Sequence, residues 1–306
     1  MGSRSYRLRD AETVPKGIAR IARGRIDHAI EELEGKTDSS SEEAVHEARK
    51  DMKKLRALVR LVRDEIGGGA YRRENARFRD AGRELAGLRD ADVMLATLAD
   101  LERRHPDELG PEVTGPLRQA LEAHKIRTAA GAGGPASAQV VEILTTARRA
   151  VARWPVEQDS FDAMAGGLER VYRRGRRSYR AARAEPTTES LHEWRKRVKD
   201  LWYHLTILRD TWRPVMEALA DEAHTVSERL GDDHDLAVLL ARAEEDAPES
   251  AAALAPLVER RRAELQGEAF AISARVYAEK PRAFMRRLER WWDAAATAER
   301  AEAVQG

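Results

Sequence analysis

Apolar residues recur in alternating steps of three and four positions along two separate stretches of the chain. In the first stretch, over about residues 42–66, they are Val45, Ala48, Met52, Leu55, Val59, Val62 and Ile66. In the second stretch they are Leu191, Trp194, Val198, Leu201, Leu205, Leu208 and Trp212. This spacing places the apolar side chains on one side of an α-helix, so it predicts two helices that each bury one seam in a bundle. Candidate caps are Ser41 for the first helix and residues 188–190 for the second.

Glycine and proline divide the rest of the chain into further long stretches of helical character. Breaks are predicted at residues 35–40, 67–69, 106–116, 131–135, 155, 185–188, 247–248 and 280–281. Ala, Arg, Glu and Leu dominate the composition, and only 5% of the residues are aromatic. Such a composition favours helices that have one apolar face and long charged faces. The sequence therefore predicts an all-α protein.

The two seam helices belong to a longer internal repeat. V-H-E-A-R-K-D-M-K-K-L from Val45 matches L-H-E-W-R-K-R-V-K-D-L from Leu191. Upstream, R-G-R at residues 23–25 matches R-G-R at residues 174–176. Downstream, L-A-G-L-R-D-A-D-V-M from Leu85 matches L-G-D-D-H-D-L-A-V-L from Leu230. Three matches in the same order, offset by 145 to 151 residues, indicate an internal duplication.

Basic residues are concentrated in two places although the chain as a whole is nearly neutral. The 54 Lys and Arg residues almost balance the 53 Asp and Glu residues, which gives a net charge of +1. Residues 170–183 nevertheless contain seven arginines and no acid, and residues 49–63 contain seven basic residues and only Asp51 as an acid. This pattern indicates a defined site for a polyanion.

Several classes of site are excluded or disfavoured by the composition. The chain has no cysteine, which excludes disulfides, thiolate-bound metals and cysteine nucleophiles. No apolar segment approaches the ~20 residues of a membrane span, and residues 1–10 do not resemble a signal peptide. We expect a cytoplasmic protein with no membrane insertion, no cofactor and no metal ligands.

Each seam helix also carries a basic stripe beside its apolar seam. The first stripe consists of His46, Arg49, Lys50, Lys53, Arg56 and Arg60, and the second of His192, Arg195, Lys196 and Lys199. Like charges one turn apart destabilise a helix by a few tenths of a kcal/mol per pair, and a bound anion would offset that cost. Arginine can bind phosphate oxygens in pairs, lysine adds a compact charge, and phosphate would hold a nearby histidine protonated. A single basic face is most often simply solvated, but its repetition favours a binding function.

The third repeated segment admits two interpretations. Arg89 and His234 occupy equivalent positions, and an aspartate follows each of them. In one interpretation, the aspartate positions the basic residue so that it faces the same site as the basic stripes. In the other, the two residues form a surface ion pair that contributes ~0 to 1 kcal/mol to stability.

Together, the H-E-x-R-K-x-x-K helices, the R-G-R segments and L-G-x-x-H-D-L resemble the CHAD family, the conserved-histidine α-helical domains. The resemblance covers roughly residues 10–295. It implies two tandem four-helix-type bundles related by a pseudo-twofold axis, one over residues 10–155 and one over residues 156–296. Residues 1–9 and 297–306 would then be flexible termini. It also implies a basic groove or pore between the halves that binds inorganic polyphosphate.

The resemblance assigns residues to this groove by motif position. They are His46, Arg49, Lys50 and Lys53 in the first half, and His192, Arg195, Lys196 and Lys199 in the second. Further candidates are Arg25, Arg56, Arg79, Arg83, Arg89, Arg176, His234, Arg282 and Arg286. The second stripe is shorter and less basic, because Asp200 replaces Lys54 and Trp202 replaces Arg56.

The predicted function is therefore non-catalytic binding of inorganic polyphosphate, with association to polyphosphate granules as a further expectation. A nucleic-acid-binding protein is an alternative, but helix-turn-helix, zinc-finger and base-stacking signatures are lacking. A phosphohydrolase or phosphotransfer enzyme is a second alternative. His46-Glu47 is similar to a phosphoacceptor helix without the ATP-binding domain, and His234-Asp235 is similar to an HD motif without its other metal ligands.

Overall fold

A computed structural model of the chain describes residues 5–10, 12–85, 90–131 and 135–305. The regular structure in these residues is helical and contains no strand, which confirms the all-α prediction. The helices are α1 (Val14–Leu33), α2 (Ser41–Leu61), α3 (Arg63–Glu84), α4 (Asp90–Arg104), α5 (Pro111–Gly131), α6 (Pro135–Val151), α7 (Asp162–Ala184), α8 (Thr188–Ile207), α9 (Arg213–Asp246), α10 (Pro248–Val276) and α11 (Pro281–Gln305). A short 3-10 helix, Arg209–Trp212, joins α8 to α9.

Helix α2 is the first predicted seam helix, and its start is fixed by a capping box. The backbone N–H of Glu43 donates to the hydroxyl of Ser40 at 3.3 Å, and the N–H of Ser40 donates to the carboxylate of Glu43 at 2.9 Å. The cap is thus Ser40 and not Ser41. Every residue of the predicted seam is buried, including two that lie beyond the end of α2. Gly67, with a φ of +77°, makes the predicted break.

Helix α8 is the second seam helix and begins after Thr187, whose hydroxyl accepts from the N–H of Ser190 at 3.2 Å. Its seam is buried as predicted, with one exception. Trp212 is 48% exposed, because α8 ends at Ile207 and the helical spacing does not extend to that position. Trp212 instead packs edge-on against Trp291 of α11, with 4.9 Å between ring centroids.

Two hydrophobic cores hold the helices together. The larger core contains α1, α2, α3, α6, α7, α8 and α11, together with one end each of α9 and α10. The smaller core joins α4 and α5 to the remaining parts of α9 and α10. Helices α4 and α5 come from the first half of the sequence but are buried against helices of the second. Each of the two cores therefore contains helices from both sides of residue 155.

Helices α2 and α8 lie against each other in the larger core. The Nε2 of His204 on α8 is 2.9 Å from the carbonyl oxygen of Ala57 on α2, and His204 is fully buried. Helix α7 crosses close by, since Gly167 leaves no room for a Cβ next to the carbonyl of Leu61. These contacts place the two basic stripes on neighbouring helices. In the part of the chain that the structure describes, no helix has both the length and the apolar character needed to cross a membrane.

Candidate functional site

A groove of about 530 Å³ lies between α2, α3 and α8. Helix α2 contributes Arg49, Lys53, Arg56 and Arg60, and α3 contributes Arg79 and Arg83. Helix α8 contributes Arg195, Lys196, Arg197 and Lys199. Among the described residues, the acids in the lining are Glu193 and Asp200, so ten basic side chains meet two carboxylates. A concave surface with this charge attracts anions, although the protein as a whole is nearly neutral.

Two arginines at equivalent positions of the repeat meet in this groove. Arg49 lies three residues after His46, and Arg195 lies three residues after His192. Both line the groove, and neither forms an ion pair with any described residue. Arg195 lies against α9 at Gly231, where an added Cβ would be 3.1 Å from its Nη2. Its Nε is buried and has no hydrogen-bond acceptor among the described residues.

The two acids of the groove hold other guanidinium groups in place. Asp200 accepts a bond from Arg60 at 2.8 Å and lies 3.7 Å from Arg197. Glu193 pairs with Arg197 and lies 3.6 Å from Lys196. Burial raises the pKa of Asp200, while the charges of Arg60 and Arg197 oppose that shift. The acids of α8 therefore offset the charge of Arg60 on the first stripe, of Lys196 on the second stripe, and of Arg197 beside them.

Crowding of like charge is visible at Arg56. Burial lowers the pKa of Arg56, and the charge of Arg60 lowers it further. Its Nε donates to the side-chain oxygen of Asn75 at 3.3 Å, which is a neutral partner. A bound anion would relieve the repulsion between these guanidinium groups.

The histidines of the second half form a pair beside the groove. The ring centroids of His192 and His234 are 4.4 Å apart, and the Nδ1 atom of each is buried without a hydrogen-bond partner in the described structure. Burial, followed by the proximity of His234, lowers the pKa of His192 to about 4. Burial also lowers the pKa of His234, against the opposing effect of Asp235. Without a ligand His192 is therefore neutral at pH 7. Within the described residues, no three His, Asp or Glu side chains are grouped so that they could hold a metal ion.

Several predicted site residues lie outside the groove lining. His46 is half-buried on α2, and Lys50 pairs with Glu47 at 2.6 Å. Arg25 is buried 3.2 Å from the carboxylate of Asp51, so an internal acid and not the groove explains its position. Arg176 lies in a separate depression. Arg282 and Arg286 are exposed on α11, which packs against α7 and the 3-10 helix. Arg89 lies outside the described residues.

Two cations that line the groove, Arg60 and Arg197, are not among the residues that the family resemblance assigns to it. Arg60 follows Arg56 by four residues, and the helical spacing had already placed it in the first stripe. Arg197 occupies the position of Asp51 in the other repeat and carried no such signal.

Comparison with known proteins identifies the family. The model of the CHAD domain matches residues 20–244. The chain belongs to the CHAD domain family. The crystal structure of the CHAD domain from the plant Ricinus communis matches 92% of this chain and 97% of that chain, with a TM-score of 0.59 and 20% identity. At this identity the match between the two CHAD domains shows a common fold. No curated protein sequence matches this chain.

Proposed function

We propose that this CHAD domain binds inorganic polyphosphate in the groove between α2, α3 and α8, without catalysing a reaction. The observation that carries the proposal is the lining of that groove, in which ten basic side chains from both halves of the sequence meet two acids. Family membership supports the same ligand, because polyphosphate binding is a known property of CHAD domains.

A linear polyphosphate suits a surface of this kind. Every phosphate unit carries charge, and the chain is flexible, so it can follow a curved groove without a sequence being read. Arg49 and Arg195 both have unpaired donors, and arginine binds phosphate oxygens through two parallel bonds. Each phosphate contact releases condensed counterions, so affinity should fall steeply as salt is added.

The groove is less suited to nucleic acid. The two aromatic residues in its lining, Phe78 and Tyr203, are 0% and 3% exposed. Single-stranded nucleic acid is commonly bound by aromatic faces on which bases stack, and buried rings offer no such face. This favours polyphosphate over the nucleic-acid alternative. A binder of this type would reside with polyphosphate in the cytoplasm, including its granules.

The test is a titration of the protein with polyphosphates of graded length, orthophosphate and duplex DNA at two salt concentrations. We expect polyphosphate to bind tightly, with an affinity that increases with its length, and orthophosphate to bind weakly. Duplex DNA should compete poorly with long-chain polyphosphate at equal phosphate concentration. The variant H46A/R49A/K53A should bind long chains less tightly. A control variant, R103A/R118A/R242A, removes three cations that pair with surface acids outside the groove, and it should bind like the wild type.

Two results would contradict the proposal. Unchanged affinity of H46A/R49A/K53A would exclude the groove as the site. Release of orthophosphate from polyphosphate in the presence of Mg²⁺ or Mn²⁺, lost in the same variant, would show that the protein is an enzyme.

A further inference from the structure

A line of arginines on α7 is not neutralised by the protein. The first two arginines of this helix are paired, Arg170 with Asp64 at 2.9 Å and Arg173 with Glu169 at 3.6 Å. The remaining five form no ion pair within the described part of the chain, and they are Arg174, Arg176, Arg177, Arg180 and Arg183. Like charges one turn apart repel each other along a helix. The second half of α7 therefore carries a concentrated positive charge.

Three of these arginines surround one depression. Arg176, Arg180 and Arg183 are spaced by four and three residues, so they lie on one face of α7. With Tyr179 and Tyr277 they line a space of about 480 Å³ that is separate from the groove between α2, α3 and α8. No carboxylate appears in this lining among the residues described.

Neutral groups, and not acids, orient two of the three guanidinium groups. The Nε of Arg176 donates to the carbonyl oxygen of Tyr277 at 3.0 Å, at the C-terminal end of α10. The Nη1 of Arg183 donates to the hydroxyl of Tyr179 at 3.2 Å. By contrast, Arg287 on α11 is paired with the carboxylate of Glu279. A carbonyl or phenol fixes a guanidinium group without cancelling its charge, so Arg176 and Arg183 are both positioned and available to an anion.

Two buried tyrosine rings form the floor of the depression. Tyr179 and Tyr277 are 7% and 3% exposed, and their rings stack with centroids 5.8 Å apart. The phenol of Tyr277 packs against Gly175, where a Cβ would not fit. Electrostatic attraction is stronger beside such a buried, weakly polar surface than in open water.

We propose that Arg176, Arg180 and Arg183 form a second anion site, which binds a phosphate or pyrophosphate group independently of the groove. Three arginines that line one depression without a carboxylate suit a compact, multiply charged oxyanion. The phosphate group comes either from a free phosphate compound or from a segment of a longer polyphosphate.

The experiment titrates pyrophosphate by calorimetry into the variant R49A/R195A, in which the groove has lost the two equivalent arginines of the repeat. Adding R180Q and R183Q to this background should lower the affinity for pyrophosphate about tenfold or more, since two charge-assisted bonds are lost. Adding R173Q instead removes a paired arginine of the same helix and should change the affinity little. Arg180 is exposed and has no partner in the described structure, so R180Q alone should fold like the parent and show the same direction.

Two outcomes would overturn the second site. One is equal affinity for pyrophosphate with and without R180Q and R183Q, and the other is an equal loss with R173Q. Long-chain polyphosphate then distinguishes the sources of the phosphate group. If R180Q/R183Q in the wild-type background weakens the binding of long-chain polyphosphate, the polyphosphate chain reaches this site. If the binding is unchanged, the ligand of this site is a free phosphate compound. Failure of the groove would appear separately, as unchanged long-chain binding by R49A/R195A.

Discussion

Arg60 of α2 and Asp200 of α8 form an ion pair of 2.8 Å that joins the two basic helices in the groove. Asp200 occupies the position that Lys54 holds in the other repeat, so a strict duplication would have placed a second cation near Arg60. Both side chains are largely buried, 17% and 14% exposed. The departure from the repeat therefore supplies a contact that holds the two stripes together, at the cost of one positive charge.

Replacing this aspartate should have opposite effects on stability and on binding. In Asp200→Asn, Arg60 and Arg197 lose a charged partner, and the free energy of unfolding should fall by about 1–3 kcal/mol. The groove gains a net positive charge, so its affinity for polyphosphate at low salt should rise. Urea unfolding and a polyphosphate titration measure the two effects.

Asp246→Asn, which breaks the pair with Arg242 nearer the surface, serves as the control and should lower the free energy of unfolding by less than about 1 kcal/mol. Unchanged stability of D200N would show that the Arg60–Asp200 bridge does not hold the helices together.

Stability should depend on pH through the buried His204 and the half-buried His192. The pKa values of His192 and His204 are both lowered to about 4, mainly by burial. Between about pH 4 and the ordinary histidine pKa of about 6.5, the unfolded chain binds more protons than the folded one. The contribution of these neutral histidines to the free energy of unfolding is therefore complete above about pH 6.5, and it is lost as the pH falls towards 4. In His204→Gln an amide N–H can still donate to Ala57, so the fall in stability between pH 7 and pH 4 should become shallower. Chemical unfolding at several pH values measures this slope, and an identical slope in the variant would contradict the prediction.

A glycine on α7 should be required for the packing beneath the groove. Gly167 lies against the carbonyls of Arg60 and Leu61, so a methyl group there would push α7 away from α2. Gly167→Ala should lower the free energy of unfolding by about 1–3 kcal/mol or more. Gly267 on α10 is exposed with open space around its Cβ position, and Gly267→Ala should instead stabilise the protein by about 0.5–1 kcal/mol. Thermal unfolding of the two variants makes the comparison, and equal effects would rule out the close approach of α7 to α2.

The sequence predicted what depends on local spacing. The buried seams of α2 and α8, the break at Gly67, and the joint placement of Arg49 and Arg195 all follow from helical periodicity and the repeat. It did not show contacts between residues that are distant in sequence. Arg25 matched a family motif, but Asp51, 26 residues away, holds it in the interior. The packing of α4 and α5 against α9 and α10 could not be predicted from periodicity. The spacing of apolar residues shows that a helix has an apolar face, but it does not show which other helix that face contacts.

If the two stripes form one site, as we propose, then Arg49 and Arg195 both contribute to the binding of the same polyphosphate chain. Long-chain polyphosphate is titrated into R49A, R195A and R49A/R195A across a range of salt concentrations. We expect a single class of binding site at the groove and a loss of affinity in each single variant. In the double variant, the slope of log K against log salt should be shallower by about one to two. Binding to two independent classes of groove site, each affected by only one of the substitutions, would contradict the claim.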